Sequence, residues 1–200
     1  MGNAVLEAFS FLVGMVFNLY AMLFAVRFIM QVFRADYYNP LAQFVVKVTD
    51  PVLKPLRRVV PSFKTYDTSS LLITFVVLLI KILLLKLLQT DILPVAGKAI
   101  FAGRQSYGSL FFIAIVDVVH LLFNVFIFAM VIQAILSWFS NPNTDSIRNL
   151  LSGITEPILR PIRKHVPPVG GFDFSVLIGI IGLFFLQILV TGTLISPFVR

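Results

Sequence analysis

The residues able to do chemistry in this chain are few, and most stand in apolar surroundings. Arg27, Lys81, Asp117 and His120 each interrupt a long hydrophobic run. An ionisable side chain inside a membrane-length segment is expensive, and is a functional candidate by default. Arg27 could line a polar path or hold an anion or a lipid phosphate. Alternatively it snorkels to an interface about two turns, roughly 10 Å, away. Lys81 lies near the middle of its apolar run. Asp117, His120 and Asn124 recur at three- and four-residue spacing, hence on one helical face. A proton relay would need such a row, but depth counting puts Asp117 near the outer boundary with Glu7 and Lys86. An Asp117–Lys86 pair is expected, and a solvated interfacial cluster is the plainer reading. His120 as a haem ligand would need a second embedded His, and His165 falls in a loop. There is no Gly-rich phosphate loop, no metal-ligand cluster and no Ser–His–acid arrangement. Zero Cys excludes disulfides and thiolate sites. The expectation is a non-enzymatic protein without a cofactor.

The elements that must position these residues are membrane helices. Of 200 residues 58% are apolar and 12% charged, and the mean hydropathy is +0.97. A soluble domain is about 25% charged; half that cannot cover a water-facing surface. The net charge of +7 is too sparse for nucleic acid and suits orientation and lipid contact. Four apolar stretches, near 8–33, 70–89, 110–139 and 174–196, reach the roughly 20 residues a hydrocarbon core requires. The first has no Lys/Arg n-region and carries Glu7, so it is expected to be a retained helix and not a signal peptide. Gly2 lacks the Ser or Thr at position 6 that myristoylation needs. The run 92–103 is broken by Pro94, Gly97 and Lys98 and is expected to be an interfacial turn or short helix. Loops 34–69 and 140–173 hold ten Lys and Arg residues, against Lys98, Arg104 and Arg200 in the remaining loop and at the C-terminal end. The positive-inside bias therefore faces both long loops to the cytoplasm and both termini outward.

Shifting the chain by 106 residues lays its halves over each other without a gap; ten of the 23 positions from 49 to 71 are identical. Thr49-Asp50-Pro51-Val52-Leu53-Lys54-Pro55 meets Thr155-Glu156-Pro157-Ile158-Leu159-Arg160-Pro161. Phe17-Asn18 meets Phe123-Asn124, Asp67 meets Asp173 and Ser69 meets Ser175. Such agreement reads as duplication. The expected organisation is repeat 1 over 1–90, an outer connector over 91–109 and repeat 2 over 110–200. Each repeat is a span, a basic loop and a second span. The fold class is all-α integral membrane, four transmembrane helices as two parallel repeats in a pseudo-twofold bundle.

Asn39-Pro40 reads as an N-cap with Pro at the first helical position. Leu41, Phe44, Val45 and Val48 then form one apolar stripe, with Ile147, Leu150, Leu151 and Ile154 at the same offsets. Pro51 and Pro157 are expected to end these interfacial helices, leaving a Pro-bent amphipathic hairpin in each repeat. Lys54, Arg57, Arg58, Arg160, Arg163 and Lys164 make a candidate surface for anionic lipid or an acidic partner. If so, Arg57→Glu with Arg163→Glu should abolish binding while folding survives. Asp67 and Asp173 are expected to cap the helices that follow. Arg27 has Gln133 as repeat partner, and Lys81 has Gln187. These four form a candidate intramembrane polar site between the halves, or else a clasp that holds helix register.

The motif at 50–61 with Asp67 and Ser69, repeated at 156–167 with Asp173 and Ser175, resembles the signature of the YggT family of small membrane proteins of bacteria and plastids. Tyr38-Asn39-Pro40 and Arg27 also fit its first half. The second copy departs at Gln133 and at Asp145-Ser146. The two-copy form is similar to the proteobacterial branch, which implies a bacterial inner membrane location. The resemblance implies no settled biochemical activity. It brings links to osmotic tolerance and ion homeostasis in bacteria, and to assembly of haem-containing complexes and organelle organisation in plastids. The reading that follows is a scaffold or assembly factor acting through the basic hairpins, with anionic lipid, a membrane-protein partner and self-association as candidate contacts. The alternative is an ion-handling protein, a channel or an accessory in potassium and osmotic homeostasis.

Overall fold

The computed structural model describes residues 2–35, 37–58, 60, 67–88, 92–96, 98–101, 105–137, 145–166 and 173–199. Six helices occur among them: α1 (Gly2–Val32), α2 (Pro40–Leu56), α3 (Thr68–Leu87), α4 (Tyr107–Ser137), α5 (Asp145–Arg163) and α6 (Phe174–Val199). α1, α3, α4 and α6 are long and apolar enough to cross a membrane. The shortest, α3, has 20 residues, enough for a hydrocarbon core of about 30 Å. α1 pairs with α3, α4 pairs with α6, and α3 packs on α4 between the two pairs. The main buried cluster joins Ala21, Ala25 and Ile29 of α1, Leu78 of α3, and Val118 and Val125 of α4. Their outer faces keep large apolar side chains exposed, among them Phe9, Phe128 and Phe185, as lipid-facing helices do.

α2 lies on α1 and α3, α5 lies on α4 and α6, and α2 touches α5. The end of the bundle that carries them is the basic end. α1 stops there in a Schellman turn: Ala35 N–H donates to Met30 O at 2.8 Å and Arg34 N–H to Gln31 O at 3.2 Å, with Arg34 left-handed at φ 52°. The turn leads into Asn39, whose side chain accepts from Leu41 N–H at 2.9 Å, with Pro40 opening α2. Asn39 also donates to Ser146 O at the start of α5.

Two local expectations are corrected. First, Pro51, Pro55, Pro157 and Pro161 do not end their helices; α2 and α5 run through them. A Pro removes the bond to the carbonyl four residues back. Here the affected positions, Lys47, Pro51 and Pro55, share one exposed face, as do Gly153, Pro157 and Pro161. Carbonyls freed on that face are open to hydration, so the helices survive. The bundle-facing stripe of α2 is also rotated from the expected one. Ala42, Val45, Thr49 and Leu53 are buried, whereas Leu41 and Phe44 are exposed. In α5 the expected Leu150, Leu151 and Ile154 are buried.

Second, the connector is a strand hairpin and not a simple turn or a short helix. β1 (Ile92–Val95) and β2 (Lys98–Phe101) form an antiparallel hairpin with Val95 opposite Lys98. β-branched Ile92, Val95 and Ile100 favour strand. Pro94 is tolerated because a two-stranded ribbon is all edge. A two-residue hairpin loop demands positive φ, and Ala96 supplies it at φ 50°. Val95, Ala96 and Ile100 are buried in a cluster with Ile82 and Leu85 of α3, Leu110 and Ile113 of α4, and Ile195 of α6.

Candidate functional site

The polar residues buried among the spans fall into two layers. At the basic end Arg27 does not snorkel; it is buried. Its guanidinium donates to Thr49 Oγ1 at 2.5 Å and Val46 O at 3.2 Å, and pairs with Asp50 at 2.7 Å. It therefore fastens α2 to α1. Gln133 repeats part of this on α4: Thr155 Oγ1 of α5 donates to Gln133 Oε1 at 2.6 Å. Glu156, at the position of Asp50, turns instead to Arg163 at 2.6 Å.

A second duplicated contact joins the end of each basic helix to the next span. Arg57 pairs with Asp67, which also accepts from the Ser70 hydroxyl at 2.7 Å. Arg163 pairs with Asp173 at 2.9 Å. Asp173 caps α6 as expected, accepting from Ser175 N–H at 3.1 Å. Asp67 stands at the N-cap of α3, but its carboxylate serves Arg57 and Ser70 instead of the backbone. Of the six expected surface cations, Arg57 and Arg163 thus keep partly exposed side chains but tie each basic helix to the span that follows. The Arg57→Glu and Arg163→Glu substitutions would break the fold's own ties. Lys54 is exposed and pairs with Asp50 at 3.1 Å. Arg58, Arg160 and Lys164 are exposed, as are Lys47, Tyr38 and Phe44.

These carboxylates are biased toward their charged form. Burial alone would push Asp50 up, but Arg27 and Lys54 outweigh it and hold its pKa below the usual value. Burial likewise opposes, and Arg57 with Ser70 overcomes, at Asp67. Burial, then Ser175 and Arg163, act the same way at Asp173. A carboxyl lowered on folding stabilises above its unfolded pKa of about 3.9, and that stability is lost as pH falls through the folded value. Protection of the α2 and α5 amides, taken relative to the intrinsic exchange rate at each pH, is therefore expected to stay constant from pH 7 down to about 4 and to fall below that, ahead of the span interiors. Protection that falls already between pH 7 and 5 would contradict this.

The second layer lies nine residues away along α1 and α4, about 13 Å. Lys81 Nζ donates to Asn18 Oδ1 at 2.9 Å and pairs with Asp117. Asp117 also accepts from Ala96 N–H of the hairpin at 3.2 Å. In the second repeat Gln187 Nε2 donates to Asn124 Oδ1 at 2.7 Å and His120 O at 3.2 Å. The expected Asp117–Lys86 pair is replaced: Lys86 donates to Gln105 O and lies 4.5 Å from the Tyr107 ring. Asp117 is buried, not solvated, because Lys81 neutralises it. Arg27, Lys81, Gln133 and Gln187 do not converge. Three bind within their own repeat, and Lys81 alone of the four reaches the other repeat, through Asp117. Sequence reasoning passed over Asn18, Thr49 and Thr155 as site residues. Their signal was present, since Asn18 matches Asn124 and Thr49 matches Thr155 in the 106-residue shift.

The CCB3/YggT family profile matches residues 6–88 and again residues 112–194. The chain belongs to the CCB3/YggT family. The two matched stretches begin 106 residues apart, and the connector with its hairpin falls between them. The Vibrio alginolyticus "uncharacterized protein in proC 3'region" is 35% identical over 193 residues, covering 96% of this chain and 97% of its own. An uncharacterized protein of Haemophilus influenzae is 36% identical over 175 residues, 88% and 87% of the two chains. The uncharacterized protein YggT of Escherichia coli K12 is 34% identical over 200 residues, 96% and 97%. No solved structure matches the chain significantly.

Proposed function

We propose that this protein is a non-enzymatic scaffold or assembly factor of the bacterial inner membrane. It presents two rigid basic helices to the cytoplasmic leaflet and carries both termini on the periplasmic side. The supporting observation is the twin fastening of α2 and α5. Arg27–Asp50 and Arg57–Asp67 hold one helix, and Gln133–Thr155 and Arg163–Asp173 hold the other. Helices tied within their length and again at their C-terminal ends keep their outward cations, Lys47, Lys54, Arg58, Arg160 and Lys164, in a set arrangement. Each adds about 1 kcal/mol of attraction near an anionic leaflet. The positive-inside bias supports a cytoplasmic position for this end. The test is Arg58→Glu with Arg160→Glu and Lys164→Glu, which spares every tie named above. It is expected to reduce retention of anionic over zwitterionic lipid on the purified protein by at least about 100-fold, the equivalent of about 3 kcal/mol. Retention equal to wild type in a folded variant would reject the reading.

One observation favours ion handling as the second reading: the Lys81–Asp117 pair is buried inside the spans. Potassium and proton flux in proteoliposomes distinguishes the two. Flux that the double variant Lys81→Leu/Asp117→Leu abolishes, with verified insertion, would favour transport. Absence of flux in wild type would leave the basic helices as the working surface.

A further inference from the structure

The two repeats do not use their helix faces equally. α3 and α4 form a seam between the repeats. Phe75 meets Phe111 edge to face with ring centroids 4.9 Å apart, Lys81 pairs with Asp117, and Ile82 shares a buried cluster with Ile113 and Ala114. In the 106-residue correspondence α6 stands where α3 stands, and α1 stands where α4 stands. The counterparts of Phe75 and Ile82 on α6 are Ile181 and Ile188, 60% and 68% exposed. The counterparts of Phe111 and Asp117 on α1 are Val5 and Phe11, 72% and 69% exposed. These four seam positions thus have exposed apolar doubles, while Ile113 is matched by exposed Glu7 and Lys81 by buried Gln187. Among the described residues α6 makes no comparable seam with α1 of its own chain, so the doubles do not cover each other.

We propose that α6 of one copy packs on α1 of the next, repeating between chains the seam that α3 and α4 make within one. The partner is a second copy of this chain. Apolar exposure alone would suit lipid equally well. What singles out these strips is that the homologous pair of surfaces already packs together inside the chain. The contact joins two different surfaces head to tail. It forms a ring if the rotation from repeat to repeat closes, and an open row if it does not. Helix association in lipid rests on packing and polar contacts. The polar contact of the seam is missing here, because Phe11 replaces Asp117 and Gln187 is already engaged by Asn124 at 2.7 Å. The seam between chains is therefore the weaker one and dissociates more readily than the seam within.

The chain has no Cys, so thiols can be placed at will, and Val5 and Ile181 are exposed enough to change without disturbing the fold. In native membranes treated with a short bis-maleimide, Val5→Cys with Ile181→Cys is expected to give a ladder of dimers and larger multiples. The two single variants co-expressed are expected to give a dimer and nothing larger. Phe75→Cys with Phe111→Cys, linked within one chain, is the positive control. Dimers from Val5→Cys alone would mean a two-fold α1–α1 contact and would overturn the proposal. Monomers throughout, with the control linked, would overturn it too and leave lipid on both strips.

Discussion

Lys81→Leu is expected to lose about 3–5 kcal/mol of stability, the cost of leaving one partner of a buried ion pair alone. Asp117 would remain with Ala96 N–H for company, and Asn18 would lose its donor. Lys81→Leu combined with Asp117→Leu is expected to recover most of this, since apolar replacement of a whole buried pair is often near neutral. It should keep a deficit of about 1–3 kcal/mol, because Ala96 N–H then has no acceptor in a buried turn. Denaturant unfolding of the purified protein measures both. Recovery in the double variant would identify the pair as a clasp between repeats. A double variant as unstable as the single one would mean that Lys81 contributes through something other than Asp117. The same pair of variants guards the flux experiment, because a loss of flux in Lys81→Leu alone could reflect collapse of the seam.

The second large effect is expected at Arg27. Arg27→Leu removes a guanidinium that joins α1 to Asp50, Thr49 and Val46 of α2. Thr49 keeps the Val45 carbonyl as its own acceptor at 2.7 Å, and Asp50 keeps Lys54. The loss is therefore smaller than for a sealed pair, about 2–3 kcal/mol for charge-assisted bonds. It should also be local. Amide exchange over Pro40–Leu56 is expected to rise roughly 30- to 150-fold by the same energy, while α5, held by Gln133 and Arg163, stays as protected as before. Arg27→Gln imitates the second repeat and should fall between the two. Equal acceleration in α2 and α5 would show that the basic helices are not fastened independently.

The parts of this protein legible in its sequence are those encoded within a few neighbouring residues. Four apolar runs of membrane length predict the spans, because a bilayer of fixed thickness imposes one length. Asn39-Pro40 predicts the start of α2, because a cap is a contact between residues two apart. Asp173 predicts the start of α6 for the same reason. The doubled Asp/Glu-Pro-x-Leu motif points to the family, and the profile match at 6–88 and 112–194 agrees. Arg27, Lys81, Gln133 and Gln187 are recognisable as costly polar residues in apolar runs. Their partners are not.

Partners were decided by how the helices sit against one another. Lys81 and Lys86 are five residues apart on α3, about 7.5 Å along the axis. A depth count from the ends of the runs was too coarse to choose between them for Asp117. Packing chose Lys81 and left Lys86 to Gln105 and Tyr107. The pairing of Arg57 and Arg163 was not legible because Asp67 and Asp173 lie ten residues further on, beyond the reach of capping or helical spacing. Pro51 and Pro157 read as helix ends by local rule; only the orientation of the helix, with its broken bonds turned outward, allowed it to continue. The sequence by itself determined the four membrane-length helices, the caps at Asn39 and Asp173 and the family, since hydropathy and capping act over one or two turns. Tertiary structure alone decided which charges are neutralised inside and which remain outside, because a Coulomb partner is set by the depth and rotation of a second helix.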